Sequence, residues 1–420
     1  MSKLFDIVLW GATGFTGQLV AEYLAQNVGD SVRWAIAGRN QEKLEKLRES
    51  LAIPNLPILI GDSHDQQSMD AIVAQTRVVC STVGPYTLYG TPLVAACAAQ
   101  GVDYCDLTGE TLWMRQIIDT YQAQAEQSGA RIVHCCGYDS IPSDLGTLVL
   151  QEHAQAVYGR SCHEVQYISW AASGGFSGGT IASLLNVLEE TKGNKTKAKL
   201  MANPYNLVPE REPDWSQTDQ DSARYDEATR VWTGPFMMAS INSRIVRRSN
   251  ALLGWRYGED FRYNESMKMP NRAAATAFSA SYKLGIGAMM ALPVRGLVDK
   301  ALPSPGEGPS VEIREKGFFK SKLVGKTTPS TSSGTTSTSS GTTSTDSGTT
   351  STGSVTLIGE VSDNLDPGYG STAKMLGESA LCLAFDDIPQ RGGILTPASA
   401  MGMTLVNRLR QAGMTFKPET

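Results

Sequence analysis

The chain is poor in the groups that most often mark a metal or hydrolytic site. Its four histidines, His64, His134, His153 and His163, form no His-x-x-x-His pair. Its seven cysteines, Cys80, Cys97, Cys105, Cys135, Cys136, Cys162 and Cys382, form no Cys-x-x-Cys pair. No zinc centre is expected from such spacing, and no metal is assigned. No Ser-His-Asp set is visible, and His134 sits in an apolar strand pattern that suits a core histidine. The cysteine number is odd and most stand in apolar segments, which points to a reduced, cytoplasmic compartment rather than a disulfide framework. Neither sign of charge dominates: 37 basic side chains face 42 acidic ones, for a net charge of −5. Nothing here suggests the basic face of a nucleic-acid binder. The N-terminus lacks the basic and apolar regions of a secretory signal. The most apolar stretch, 284–302, is interrupted by Pro293 and Arg295 and is too short to span a bilayer.

What is present is an alternation. Leu4–Trp10, Val32–Ala37, Pro57–Ile60, Arg77–Thr82, Val102–Asp106 and Arg131–His134 read as short buried strands. Thr16–Gln26, Gln41–Leu51, Ser68–Gln75, Pro92–Gln100 and Leu112–Gln127 carry helical spacing between them. Strands alternating with helices of about ten to fifteen residues imply an α/β fold with a Rossmann-type, doubly wound parallel sheet. After Pro142 the pattern changes. Val165–Trp170, Arg230–Phe236 and Arg244–Ser249 read as strands of another sheet, and Gly179–Thr191 as a helix. This region is expected to form an inserted mixed α+β domain. Two apolar helix patterns, Ser371–Phe385 and Pro397–Ala412, close the chain. The expected units are 1–140 for dinucleotide binding and 141–365 for substrate binding or dimerisation, with helices of 366–420 packing back on the first.

Residues 327–354 stand apart. Three near-copies of Thr-Ser-Ser-Gly-Thr-Thr-Ser fill them, a composition that cannot bury a core and is expected to be disordered. Strand-like segments flank the tract, so a β-hairpin with an expanded turn accounts for it. Each doubling of a surface loop costs only ~0.6 kcal/mol.

The chemistry starts at Gly11-Ala12-Thr13-Gly14-Phe15-Thr16-Gly17, between an apolar strand and a helix. Gly11 permits the tight turn, Gly14 lets backbone approach a pyrophosphate, and Gly17 lets helix and strand pack closely. The helix N-terminus offers free N–H groups to the phosphates. At the end of the second strand an acidic residue would bind the ribose 2′-hydroxyl of NAD. Here the sequence is Ala37-Gly38-Arg39-Asn40, and the forked donors of Arg39 suit a 2′-phosphate. NADP(H) is therefore the expected cofactor. Asp62, after the third strand, stands where adenine contacts occur. Val83-Gly84-Pro85, after the fourth, should run beside the nicotinamide. Asp106, Glu110, Asp139 and Asp144 follow the fifth and sixth strands, at the sheet edge where α/β ligands bind. Each could cap a helix or serve a substrate. Tyr86, Glu110 and Asp139 are the candidate catalytic residues.

As a set, these segments resemble the saccharopine dehydrogenase-like oxidoreductases, and within them the trans-acting enoyl reductase group of actinobacteria and its eukaryotic relatives. The resemblance rests on Gly11–Gly17, Ala37–Arg39, Val83–Tyr86 with Tyr89-Gly90, Asp103–Glu110 and Gly137–Asp144. It continues in Gly306-Glu-Gly-Pro309, Asp366-Pro-Gly-Tyr-Gly370 and Leu395-Thr-Pro-Ala398. It implies an NADP-binding Rossmann domain completed by C-terminal helices, an inserted mixed domain, and a nicotinamide-dependent reductase of lipid biosynthesis acting on a hydrophobic acyl-type substrate. The apolar strip 284–302 is a candidate contact with a membrane surface or lipid, and equally a buried helix or a homodimer contact. Two other readings stay open: a non-catalytic nucleotide-binding scaffold or sensor at a lipid surface, and an amino-acid dehydrogenase of the saccharopine type.

Overall fold

The computed structural model describes residues 3–174, 191–212, 214–291, 316–327 and 353–419. The first part alternates strand and helix. In order come β1 (Phe5–Trp10), α1 (Phe15–Asn27), β2 (Trp34–Gly38), α2 (Gln41–Ser50), β3 (Ile58–Ile60), α3 (Gln66–Val73) and β4 (Thr76–Ser81). Then follow α4 (Tyr86–Tyr89), α5 (Thr91–Gln100), β5 (Asp103–Asp106), α6 (Thr111–Ser128), β6 (Arg131–Val133) and the long α7 (Ile141–Tyr158). The apolar runs form central strands because both sheet faces are covered by helices, so Ile7, Val8, Leu9, Val78 and Val79 are all fully buried.

Seven parallel strands make the sheet, in the order β13-β6-β5-β4-β1-β2-β3. The seventh, β13 (Gly393–Leu395), returns from the far end of the chain to pair with β6. At three residues it is too short for the sequence pattern to reveal. Chain order reverses across β1, with β2 on one side and β4 on the other. The crevice at the carboxyl ends of these strands is where a doubly wound sheet holds ligands.

A second sheet has the order β14-β12-β11-β7-β10-β9-β8. Its strands are β7 (Cys162–Ser173), β8 (Arg224–Asp226), β9 (Val231–Pro235), β10 (Arg262–Met269), β11 (Phe318–Thr327), β12 (Thr356–Asp363) and β14 (Thr415–Glu419). Only β7 and β10 run parallel. The strands that flank the Thr/Ser/Gly tract are β11 and β12. They pair antiparallel with Lys326 opposite Thr356, as a hairpin requires. The tract from 328 to 352 lies outside the described residues, as do most of the expected helix 179–191 and the Gly306–Pro309 motif. The helix α7 joins the two sheets. A Cβ on Gly146 would come within 2.8 Å of Val361, so its glycine lets the helix lie flat on the second sheet.

One expectation fails outright. The segment Arg244–Ser249 is not a strand but the middle of a helix, Ala239–Leu252. Its β-branched and alternating residues suggest a sheet, yet nearly every residue from Asn242 to Asn250 is buried, the three arginines included. They satisfy backbone carbonyls of surrounding elements. Arg247 donates to Pro204 O, Gln217 O and Tyr263 O at 3.2, 2.9 and 2.8 Å. Arg248 donates to Leu207 O and Ile394 O. A helix buried on all sides has no polar face to announce it. The expected helix Pro397–Ala412 is divided at Gly402, whose φ of +53° ends one helix and starts the next.

The helix Gly370–Phe385 lies against α1. Gly377 leaves room for the ring of Tyr23, whose hydroxyl donates to Glu378 at 2.6 Å. The helix Arg272–Ala291 carries the start of the apolar strip, where Leu284 is 75% exposed. From residue 292 onward the strip lies outside the described residues. Among the described residues no helix is long and apolar enough to cross a membrane.

Candidate functional site

The glycine loop turns sharply out of β1. Gly11 has φ of +88°, and its N–H donates to Ala37 O at 2.9 Å. A Cβ on Gly11 would stand 2.4 Å from the Val83 side chain, so the β1 and β4 loops touch there. A Cβ on Gly17 would stand 2.1 Å from Gly11 O, which no other residue can accommodate. Gly14 caps α1 and is exposed, and as a glycine it brings no side chain to cap the first turn of that helix. A helix start capped by glycine alone is the kind of site that receives an anion. Ala12 is buried beneath the loop, while Thr13, Phe15 and Thr16 are half-exposed along it. The ring of Phe15 meets Tyr369 edge-on at 4.9 Å. This contact brings the Asp366–Gly370 motif beside the loop, where Asp366 accepts from the Gly368 and Gly370 amides.

Arg39 follows β2 on the same edge. It is exposed, and no carboxylate pairs with it among the described residues. Asn40 has a structural task, accepting from the Lys43 amide as the cap of α2. Asp62 is exposed and accepts from the His64 amide at 3.0 Å. It closes a turn, and Asp65 rather than Asp62 caps α3. An uncapped helix start, a close-packed glycine turn and an unpaired arginine at the β2 end together fit a dinucleotide with a phosphorylated ribose.

Beyond β4 the chain runs through Val83, the exposed Gly84 and Pro85 into α4. Glu110 organises this turn from the end of β5. Its carboxylate accepts from the Tyr86 and Thr87 amides at 2.9 and 2.8 Å, and from the Thr87 hydroxyl at 2.5 Å. The side chain therefore caps α4 across the gap between two strand ends. Tyr86 is buried, donates to Ser81 O at 3.2 Å, and accepts from the Leu107 amide at 3.2 Å. Burial pushes its hydroxyl well above the usual tyrosine range, with the Asp106 charge adding to the effect. Both side chains hold the β4 and β5 loops in register.

Asp106 anchors a second buried knot. It accepts from the Tyr104 hydroxyl at 3.0 Å and the Thr108 amide at 3.1 Å, and pairs with His134 Nδ1 at 2.8 Å. His134 is thus the buried histidine its strand pattern suggests. Asp144 lies in the first turn of α7 but caps nothing there. It accepts from the Ser249 hydroxyl and from the Ala398 amide at 2.8 Å, and so docks the Leu395–Ala398 motif onto α7. Burial raises its carboxyl to about 7 against those two donated bonds.

Asp139 is differently placed. It lies part-buried in the loop between β6 and α7, on the ligand edge of the first sheet. Its Oδ1 is buried and has no hydrogen-bond partner among the described residues. Burial, and then the charge of Glu265, raise its carboxyl to about 7. Glu265 was not singled out in the sequence, because it stands alone on β10 with no motif around it. It is wholly buried and accepts from Tyr263 Oη at 2.7 Å and Asn242 Nδ2 at 2.9 Å. Burial raises it to about 7 as well. Tyrosines line the surroundings: Tyr138 packs edge-on to Phe319 at 5.0 Å, and Tyr167 bonds Ser321 at 2.5 Å. The edge thus offers an anion-binding turn with a basic tip at one end. At the other it offers a carboxyl that can carry a proton near neutral pH.

Comparison with known proteins bears on the family, the fold and the cofactor. Residues 7–133 match the saccharopine dehydrogenase NADP-binding domain. A Mycobacterium tuberculosis protein, named provisionally as a trans-acting enoyl reductase, is 41% identical over 98% of this chain and 97% of its own length. A trans-acting enoyl reductase of Mycobacterium bovis is 38% identical over 98% of this chain and 97% of its own. The fold is similar to that of saccharopine dehydrogenase (L-Glu forming) from Saccharomyces cerevisiae. There the TM-score is 0.52 at 12% identity, covering 99% of both chains.

Proposed function

The chain belongs to the trans-acting enoyl reductases, within the saccharopine dehydrogenase-like NADP-dependent oxidoreductases, and from that premise we propose that it saturates the carbon–carbon double bond of a hydrophobic, lipid- or polyketide-type enoyl group. The observation that carries the reading is the pairing, on one sheet edge, of the uncapped glycine turn and Arg39 with the unpartnered carboxyl of Asp139. The relatives' names supply the reaction class, and the buried, tyrosine-lined surroundings of Asp139 favour a substrate with little charge.

Bound NADPH supplies the hydride. The amides at the start of α1 hold the diphosphate, and Gly14 leaves them uncovered. Arg39 grips the 2′-phosphate with its forked donors. Val83 and Pro85 would flank the nicotinamide half of the cofactor, and Glu110 with Tyr86 holds that turn in place. Asp139 in its neutral form would give a proton to the α-carbon of an enoyl group whose β-carbon takes the hydride that NADPH supplies. One C=C π bond is lost and two C–H bonds form, leaving Asp139 as a carboxylate that regains its proton from solvent. In this reading residues 1–140 with the helices and β13 of 366–411 hold the cofactor, and 141–365 with β14 cover the substrate. Exposed Leu284, at the start of the apolar strip, is the position we assign to lipid.

The test is NADPH oxidation with trans-enoyl thioesters of increasing chain length, comparing the wild-type protein with Asp139→Asn. Loss of a general acid lowers kcat by ~10²–10⁴, with NADPH affinity unchanged. Equal rates in the two proteins overturn the role of Asp139. A wild-type protein that binds NADPH yet saturates no enoyl thioester overturns the substrate class.

A further inference from the structure

We infer that the turn from Asp366 to Thr372 clamps the cofactor loop to the loop that carries Asp139, with Tyr369 and Thr372 as its two positioning residues. This rests on the proposal that Asp139 is the proton donor. Hydride and proton must reach neighbouring carbons of one double bond. Yet the glycine loop follows β1 and Asp139 follows β6, and β4 and β5 stand between those strands. An element that touches both loops fixes their spacing.

The turn touches both. At one end the buried ring of Tyr369 meets Phe15 edge-on at 4.9 Å, with the ring planes at 86°. Phe15 is the first residue of α1, directly after Gly14. At the other end Thr372 Oγ1 accepts from the Tyr138 amide at 3.1 Å, one residue before Asp139. The same hydroxyl donates to Pro367 O at 2.8 Å, which ties the contact back to the turn. A Cβ on Gly137 would stand 3.1 Å from Thr372 Cγ2 and 2.7 Å from the Leu107 side chain, so the close approach of the two segments calls for a glycine there.

The turn is also stiff and braced. Asp366 is fully buried, and its carboxylate accepts from the Gly368 and Gly370 amides at 3.1 and 2.9 Å. Its carbonyl accepts from the Ser371 amide at 3.0 Å. A Cβ on Gly317, just before β11, would stand 2.2 Å from Asp366 Cβ. One on Gly174, just after β7, would stand 3.0 Å from Pro367 Cδ. Two strand ends of the second sheet therefore back the turn where it faces the first. The motif Asp366-Pro-Gly-Tyr-Gly370 thereby gains a role: it holds an aromatic contact and a hydroxyl at fixed separation.

The experiment measures NADPH affinity by fluorescence titration, and kcat for an enoyl thioester at saturating NADPH. Thr372→Val keeps the shape of the side chain but cannot accept from Tyr138. Its kcat should fall ~10–100-fold, the cost of misplacing a reacting group by about 1 Å, with NADPH affinity unchanged. Thr372→Ser keeps the hydroxyl and recovers most of the rate. Tyr369→Leu should instead weaken NADPH binding about 2–10-fold, the worth of one aromatic pair, and leave kcat close to wild type. Tyr369→Phe keeps the ring and binds as wild type does. Added to Asp139→Asn, Thr372→Val should cost little more, because the donor it positions is already gone. Wild-type kcat in Thr372→Val, when Asp139→Asn is impaired, overturns the inference alone. So does a loss that Thr372→Ser fails to recover, or one that persists in full on top of Asp139→Asn. Unchanged NADPH binding in Tyr369→Leu overturns the cofactor end of the clamp. An Asp139→Asn protein as fast as wild type overturns the reading of Asp139 itself.

Discussion

Asp144 offers a stability test that is independent of catalysis. Its carboxyl is buried between α7 and the turn at Ala398, and burial raises it from 3.8 to about 7. Below about pH 4 the group is protonated in both the folded and the unfolded chain and contributes no difference. Between pH 4 and 7 the folded state keeps a proton that the unfolded state releases. Stability from this group is therefore present at low pH and is lost as pH rises through 7. About three pKa units at 1.36 kcal/mol each set an upper magnitude of ~4 kcal/mol at pH 8. Asp144→Asn cannot ionise, and its amide oxygen can still accept from Ala398. At pH 5 the variant should be within ~1–2 kcal/mol of wild type. At pH 8 it should be the more stable, by a few degrees of Tm and at most ~5 °C. The assay is thermal unfolding of both proteins at matched pH, followed by tryptophan fluorescence, so that the titrations of Asp139 and Glu265 cancel. A Tm difference that stays constant from pH 5 to pH 8 would refute the reasoning.

Two further outcomes follow from buried and exposed arginines. Arg247→Met removes the donors to Pro204 O, Gln217 O and Tyr263 O and leaves three carbonyls in the dark. A loss of ~3–5 kcal/mol is expected in urea unfolding, and Arg247→Lys should recover only part of it because lysine lacks the fork. Arg39→Ala should weaken NADPH binding ~10–100-fold in a fluorescence titration, the worth of one or two charge-assisted bonds, while NADH binding stays within twofold.

Much of the first sheet was legible because its strands are apolar runs bounded by turns and its helices carry one buried stripe. The glycine loop was legible because its three glycines each answer a steric demand that other residues fail, most sharply Gly17 against Gly11 O. What escaped reading was decided by tertiary context. The three residues of β13 have no pattern of their own and pair only because β6 offers an open edge. The helix Ala239–Leu252 hides its identity in buried arginines whose partners lie on four other segments. Asn40 and Asp62 are the residue types a cofactor could use, but local backbone amides claim them first. Glu265 shows the same limit: in the sequence it is a lone acid, and only its burial and the bonds from Tyr263 and Asn242 single it out.

The most direct measurement is single-turnover reduction of a long-chain trans-enoyl thioester by the wild-type protein with NADPH deuterated at the transferable position. The account predicts a saturated thioester with one deuterium at the β-carbon and one solvent proton at the α-carbon, formed in step with NADP⁺. Consumption of NADPH without that saturated product, or no consumption when NADPH is bound, would contradict it.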